Sequence, residues 1–189
     1  MVKERASRLV KLKPDDLSQD QAVLYDEIVF GPRSKGSQQS SLVDSDGALR
    51  GPFNAMLLAP KLGHALSQLG TTIRYFGELS GRIREAVILM VAKKWECDFE
   101  RSSHEPLALE VGLTDEDLSA ISQGGLPSAK TPSEATAFWA ASLLLGAADL
   151  DDLDFERCVR DLGEKGIFEL TTLIGYYSTL ALQMRIFGI

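Results

Sequence analysis

Arg84-Glu85-Ala86-Val87-Ile88-Leu89-Met90-Val91-Ala92-Lys93-Lys94-Trp95-Glu96-Cys97-Asp98-Phe99-Glu100-Arg101-Ser102-Ser103-His104 decides how the rest of this 189-residue chain is read. From Ala86 to Ala92 the residues are apolar on nearly every side of a helix, so this segment belongs in the middle of a protein, with Ser80 ahead of it as an N-cap. A second helix starts near Cys97. At about 100° per residue, Cys97, Glu100 and His104 fall within roughly 60° of one another and line one face. The stretch holds one of the two cysteines and one of the two histidines of the chain, spaced E-x11-C-x2-E-x3-H. A carboxylate such as Glu85 on a buried helix must find a hydrogen-bond or charge partner or rise in pKa. Backbone amides of the first turn, Arg82 and Arg84 are its structural candidates, and a shared pocket with Cys97, Glu100 and His104 is the chemical one. Pro106 disfavours helical geometry at Glu105 and predicts a kink or restart where His104 must point.

The flanking sequence reads as helices throughout. Pro14-Asp15-Asp16-Leu17-Ser18 opens a helix over about 16–30, closed by Gly31-Pro32. Residues 33–50, rich in Ser, Gly, Gln and Asp, read as a loop. Gly51-Pro52-Phe53-Asn54 reads as a turn. A helix from Pro60 carries Leu62, Ala65, Leu66 and Leu69 on one face and ends near Gly70; His64 on it reads as an exposed histidine without a partner. Thr114-Asp115-Glu116-Asp117 and Thr131-Pro132-Ser133-Glu134 are capped helix starts. The acidic run from Asp149 to Asp154 leads into a helix over about 152–162, and the last helix runs from Gly166 to about Phe187. With no alternating strands the fold class is all-α. Residues 1–50 form an N-terminal helix and polar loop, and 51–189 a helical domain. Glu85-Ala86-Val87-Ile88-Leu89 is echoed by Glu169-Leu170-Thr171-Thr172-Leu173, but the position twelve beyond Glu169 is Ala181, so that copy reads as scaffold.

A net charge of −7 gives no basic footprint for nucleic acid or an anionic membrane surface. Two widely separated cysteines make no disulfide framework and predict reduced thiols in a cytoplasmic protein. The charged N-terminus lacks an apolar signal run, and no window approaches 18 uninterrupted apolar residues.

The spacing from Glu85 to His104 resembles the carboxymuconolactone decarboxylase and alkylhydroperoxidase D-like family. Gly51-Pro52-Phe53-Asn54, Arg82-Ile83-Arg84-Glu85, the run from Ala108 to Leu118 and the run from Phe168 to Tyr177 support the likeness, which covers about residues 16–187. It implies an alkylhydroperoxidase D-like helical fold, two pseudo-related helical halves in one domain, and a homo-oligomer, trimer or hexamer. Peroxidase members carry E-x11-C-x-H-C-x3-H; here Phe99 replaces the inner histidine and Glu100 the second cysteine. That pattern resembles the decarboxylase branch, which acts on a carboxylated muconolactone in aromatic catabolism without a cofactor.

The expectation is therefore a lyase acting on a small carboxylated lactone or related oxo-acid. His104, Glu100, Glu85 and Cys97 are the catalytic set, Arg82 and Arg84 bind the substrate carboxylate, and no metal or cofactor takes part. Three alternatives stay open: a thiol peroxidase using Cys97, a metal site built from Glu85, Cys97, Glu100 and His104, and a non-catalytic helical oligomer.

Overall fold

The computed structural model describes residues 7–31 and 42–189. A 3-10 turn, Pro14–Asp16, precedes α1 (Gln19–Phe30), α2 (Pro52–Met56), α3 (Pro60–Phe76), α4 (Gly81–Trp95), α5 (Asp98–Glu110), α6 (Asp115–Ser122), α7 (Pro132–Gly146) and α8 (Asp152–Phe187). Among the described residues the only β pairing is an isolated bridge between Val43 and Leu49, so the protein is all-α. Of the loop expected over 33–50, residues 33–41 lie outside the described residues; 42–50 form a turn tied by that bridge and by Asp44, whose carboxylate accepts the amides of Asp46 and Ala48. Residues 1–6 lie outside them too.

Local chemistry sets most helix ends. The Ser80 hydroxyl accepts the Ile83 amide, Thr114 and Asp117 close a reciprocal capping box, and Thr131 accepts the Glu134 amide. Each supplies an acceptor to a first-turn N–H that has no partner within its own helix. The expected turn at 51–54 is instead the start of α2: Gly51 takes φ 56° and Pro52, with its φ already fixed, occupies the first helical position. Gly163, at φ 71°, breaks α8 into the two helices expected from sequence.

The chain divides into two compact units. The first unites the described residues up to Phe76 with Thr179–Ile189. In it α1 and α2 pack on α3, and the buried face of α3 is Gly63, Ser67 and Gly70. A Cβ on Gly63 would stand 2.7 Å from Leu24 Cδ2 and 2.8 Å from Met56 Cβ, so the approach requires glycine. Much of the expected apolar face of this helix consequently points outward: Leu62 is 60% and Leu69 38% exposed, while Leu66 is half-buried. Nor does the helix stop near Gly70, which lies buried inside it. His64 is exposed as expected but does have a partner, because the packing of α1 on α3 brings Glu27 to its Nδ1.

The second unit, Gly77–Ser178, is built on α4. Arg82, Ile83 and every residue from Glu85 to Ala92 are buried, with α5, α6 and α7 packed against this helix. Leu170 and Leu173 of α8 add to the same core. The echo residue Glu169 serves the scaffold. Its Oε2 accepts the amides of Glu78 (2.7 Å) and Leu79 (3.1 Å), fixing the segment that leads into α4.

Candidate active site

The turn between α4 and α5 is only two residues long. Glu96 closes α4 in the left-handed conformation, φ 53°, with its amide bonded back to the last helical turn, and Cys97 is at once the N-cap of α5. So short a connection folds α5 back along α4. Pro106 neither ends nor restarts α5, which is helical from Asp98 to Glu110. Only the Ser102 carbonyl loses its usual amide partner.

Glu85 of α4 and His104 of α5 meet in the interior. His104 Nδ1 lies 2.7 Å from Glu85 Oε2, with side-chain exposures of 9% and 2%. The other oxygen of Glu85 accepts Arg84 Nε at 3.2 Å. An imidazole that donates Nδ1–H to a carboxylate is fixed in orientation and presents Nε2 as its free lone pair. The Tyr177 ring meets His104 edge-on at 5.3 Å between centroids, and Tyr176 packs edge-on against Tyr177 at 5.2 Å. Tyr177 of α8 thus borders the site, and Tyr176 supports it from the same helix. In the sequence they look like ordinary members of an apolar helical stripe.

Glu100, one turn before His104, is 3% exposed. Neither of its carboxyl oxygens has a hydrogen-bond partner among the described residues. Burial alone raises its pKa to about 8, so the group is largely the neutral acid at pH 7. Glu100 and Glu85 thus share the buried helix hairpin in different states, one committed to His104 and Arg84, the other uncommitted.

Burial also pushes the Cys97 thiol up, to about 11. The Phe99 and Glu100 amides at the start of α5 pull the other way, but the Glu100 and Asp98 charges add to the rise. The thiol is held in its unreactive protonated form.

The two arginines expected at the substrate have different surroundings. Arg84 is 21% exposed and spends only Nε on Glu85; neither Nη of Arg84 has a hydrogen bond among the described residues, which leaves its fork for an anion. Arg82 is not brought to this group. It is buried with Glu134 (3.1 Å) and Asp117 (3.6 Å), and it donates to the carbonyls of Gly112 and Ser128. The same knot takes in the Lys130 and Ser128 amides, which bond to Glu134 and Asp117. Arg82 fastens the 124–131 linker to α4. Among the described residues no three His, Cys, Asp or Glu side chains stand where they could share a metal ion.

The buried α4–α5 pair with its Glu–His contact lies inside a match to a known family. Residues 60–142 match the carboxymuconolactone decarboxylase family. The matched region runs from the start of α3 into α7 and includes Arg84, Glu85, Cys97, Glu100 and His104. Two solved structures share the fold. One is a cysteine-to-alanine variant of the debrominase Bmp8 in complex with 2,3,4-tribromopyrrole, 16% identical, covering 96% of this chain and 91% of that one with a TM-score of 0.68. The other is apo Bmp8, 17% identical, covering 90% and 87% with a TM-score of 0.66. At this identity the likeness is one of fold. No curated protein matches the sequence. No helix among the described residues is long and apolar enough to cross a membrane.

Proposed function

We propose that the protein is a lyase that decarboxylates a small carboxylated lactone or related oxo-acid by acid/base chemistry of its own side chains. The single observation that carries this reading is the buried Glu85–His104 contact beside a second buried carboxyl, Glu100, that has no partner among the described residues. As the bond to the departing carboxylate breaks, its electron pair passes into the conjugated lactone, carbon dioxide leaves, and a proton must be placed on carbon. His104 delivers that proton from Nε2, with Glu85 at Nδ1 fixing the ring. Glu100, kept neutral by burial, donates a hydrogen bond to the lactone carbonyl, where negative charge accumulates. The free fork of Arg84 binds the substrate carboxylate. Cys97, protonated throughout the physiological range, forms part of the wall.

The family match and the fold support an enzyme of this class. Turnover of carboxymuconolactone, followed as carbon dioxide release, is expected to fall at least a hundredfold in His104→Ala and in Glu100→Ala, with helical content unchanged. Full activity in both variants removes the assignment. Peroxide consumption with a dithiol reductant tests the thiol alternative, and loss of lactone turnover in Cys97→Ser would favour a covalent role for that sulfur.

A further inference from the structure

We propose that a cavity on the solvent side of the α4–α5 hairpin binds a small amphipathic carboxylic acid, at a site separate from the Glu85–His104 contact. The cavity measures about 540 Å³ and opens between the second half of α4, the outer face of α5 and α6. That volume is in the range of small-molecule pockets. Helix geometry assembles its wall. Leu89 and Lys93 stand one turn apart on α4, and Asp98, Arg101 and Glu105 follow one another at three- and four-residue spacing on α5. Glu100 and His104, buried on the inner side of the same helix, are not part of the lining.

The chemistry of the wall selects the ligand. Of the four charged side chains that line the cavity, three are committed to one another. Arg101 donates Nε (3.4 Å) and Nη2 (3.1 Å) to Asp98 Oδ1, and Nη1 (3.4 Å) to Glu105 Oε1. It thereby answers both carboxylates and still keeps N–H groups of its fork to spare. Asp98 is 90% exposed, so its second oxygen is left to water. Lys93, the fourth, is exposed and makes no ion pair or side-chain hydrogen bond among the described residues. On α6, Ser122 spends its hydroxyl on the Ser119 carbonyl (2.8 Å), whereas the Ser119 hydroxyl accepts Gln123 Nε2 (2.9 Å) and retains its own O–H to donate. The uncommitted groups are therefore mainly donors, one of them a full positive charge, and such a set recognises an oxyanion. The floor asks for something else. Leu89 and Ile121 are buried beneath the cavity and Leu118 is half-buried at its side, all three aliphatic. Inorganic phosphate would leave that floor bare; one carboxylate on an aromatic or branched aliphatic body satisfies wall and floor together. None of this depends on the proposed reaction.

Calorimetric titration of the full chain with 2-naphthoate tests the site, with amide shifts in NMR spectra to locate it. Saturable binding is expected, with shifts at Lys93, Leu118, Ser119 and Ser122. Arg84→Gln, which removes the anion fork of the proposed reaction, is expected to keep that binding within about twofold. Lys93→Glu in the same background is expected to weaken it about tenfold or more, because attraction becomes repulsion; the position is exposed, so the circular dichroism spectrum should not change. Two relatives of the probe report the charge preference. 2-Naphthalenemethanol keeps the rings and loses the charge, 2-naphthylmethylammonium reverses it, and each is expected to bind about fivefold or more weakly than the acid. No saturation in Arg84→Gln, unchanged affinity in Lys93→Glu, or an alcohol or ammonium that binds as well as the acid overturns the proposal. Since the readout is binding with the Arg84 fork removed, loss of the lyase reading leaves the result standing.

Discussion

The chain has two histidines, and each meets a glutamate through Nδ1. Glu27 of α1 and His64 of α3 touch in the first unit with side-chain exposures of 31% and 46%; Glu85 of α4 and His104 of α5 touch in the second with exposures of 2% and 9%. The functional groups are the same and the surroundings are not. Water screens the outer pair and competes for both partners, so the contact contributes little and leaves the imidazole free to reorient. Around the inner pair the effective dielectric is lower, the ring is wedged by Tyr177, and losing either partner strands a polar group. Residue type and contact alone do not distinguish the two histidines; burial beside an uncommitted acid does.

Activity separates the two regions most widely. His104→Ala is expected to lower kcat/KM at least a hundredfold, whereas His64→Ala stays within about twofold of wild type; similar losses in both would end the distinction between the two pairs. Chemical denaturation gives the next largest contrast. Glu85→Ala leaves His104 and Arg84 without a buried carboxylate and is expected to cost about 3–5 kcal/mol, against less than about 1 kcal/mol for Glu27→Ala at the exposed pair.

Glu100 sharpens the comparison through pH. Its folded pKa of about 8 lies above the ordinary 4.5, so the folded state holds a proton that the unfolded state releases. Stability from this group is therefore lost as pH rises from about 4.5 to about 8. Glu100→Gln is expected to gain stability over wild type at pH 8.5 by a few kcal/mol, on the order of 1.4 kcal/mol for every pH unit that separates the two pKa values. The two proteins should be nearly equal at pH 4. A difference that does not grow with pH would mean that Glu100 is ionised in the fold. The smallest expected effect concerns Cys97: iodoacetamide should label the native protein at pH 7.5 far more slowly than the unfolded chain, because both burial and a thiol raised to about 11 withhold the thiolate. Cys97→Ser should keep most of the activity.

Helix starts are legible in the sequence because the forces that set them are local. Ser80, Thr114 and Thr131 each act on an amide three residues away. The burial of α4 is legible too, since no surface tolerates a helix that is apolar all round. The face of α3 is not. Its leucines imply an inward stripe, yet the contact with α1 and α2 is so close that glycine and serine take the inner side. His64 finds its partner 37 residues away in α1, beyond the reach of spacing arguments. Arg82 and Arg84 look interchangeable in sequence, but two positions on a helix differ by about 200°, which sends Arg82 to Glu134 and leaves Arg84 beside Glu85.

Periodicity and residue type are enough to bury α4, to set Cys97, Glu100 and His104 on one face of the next helix, and to rule out a second cysteine where a dithiol would need it. Other outcomes wait on the folded chain: Glu85, and not Glu100, holds His104; Pro106 leaves α5 intact; and Leu62 and Leu69 of α3 face outward. These depend on which side chains from distant segments reach the same volume, and on how closely two helices can approach, quantities that no local pattern carries.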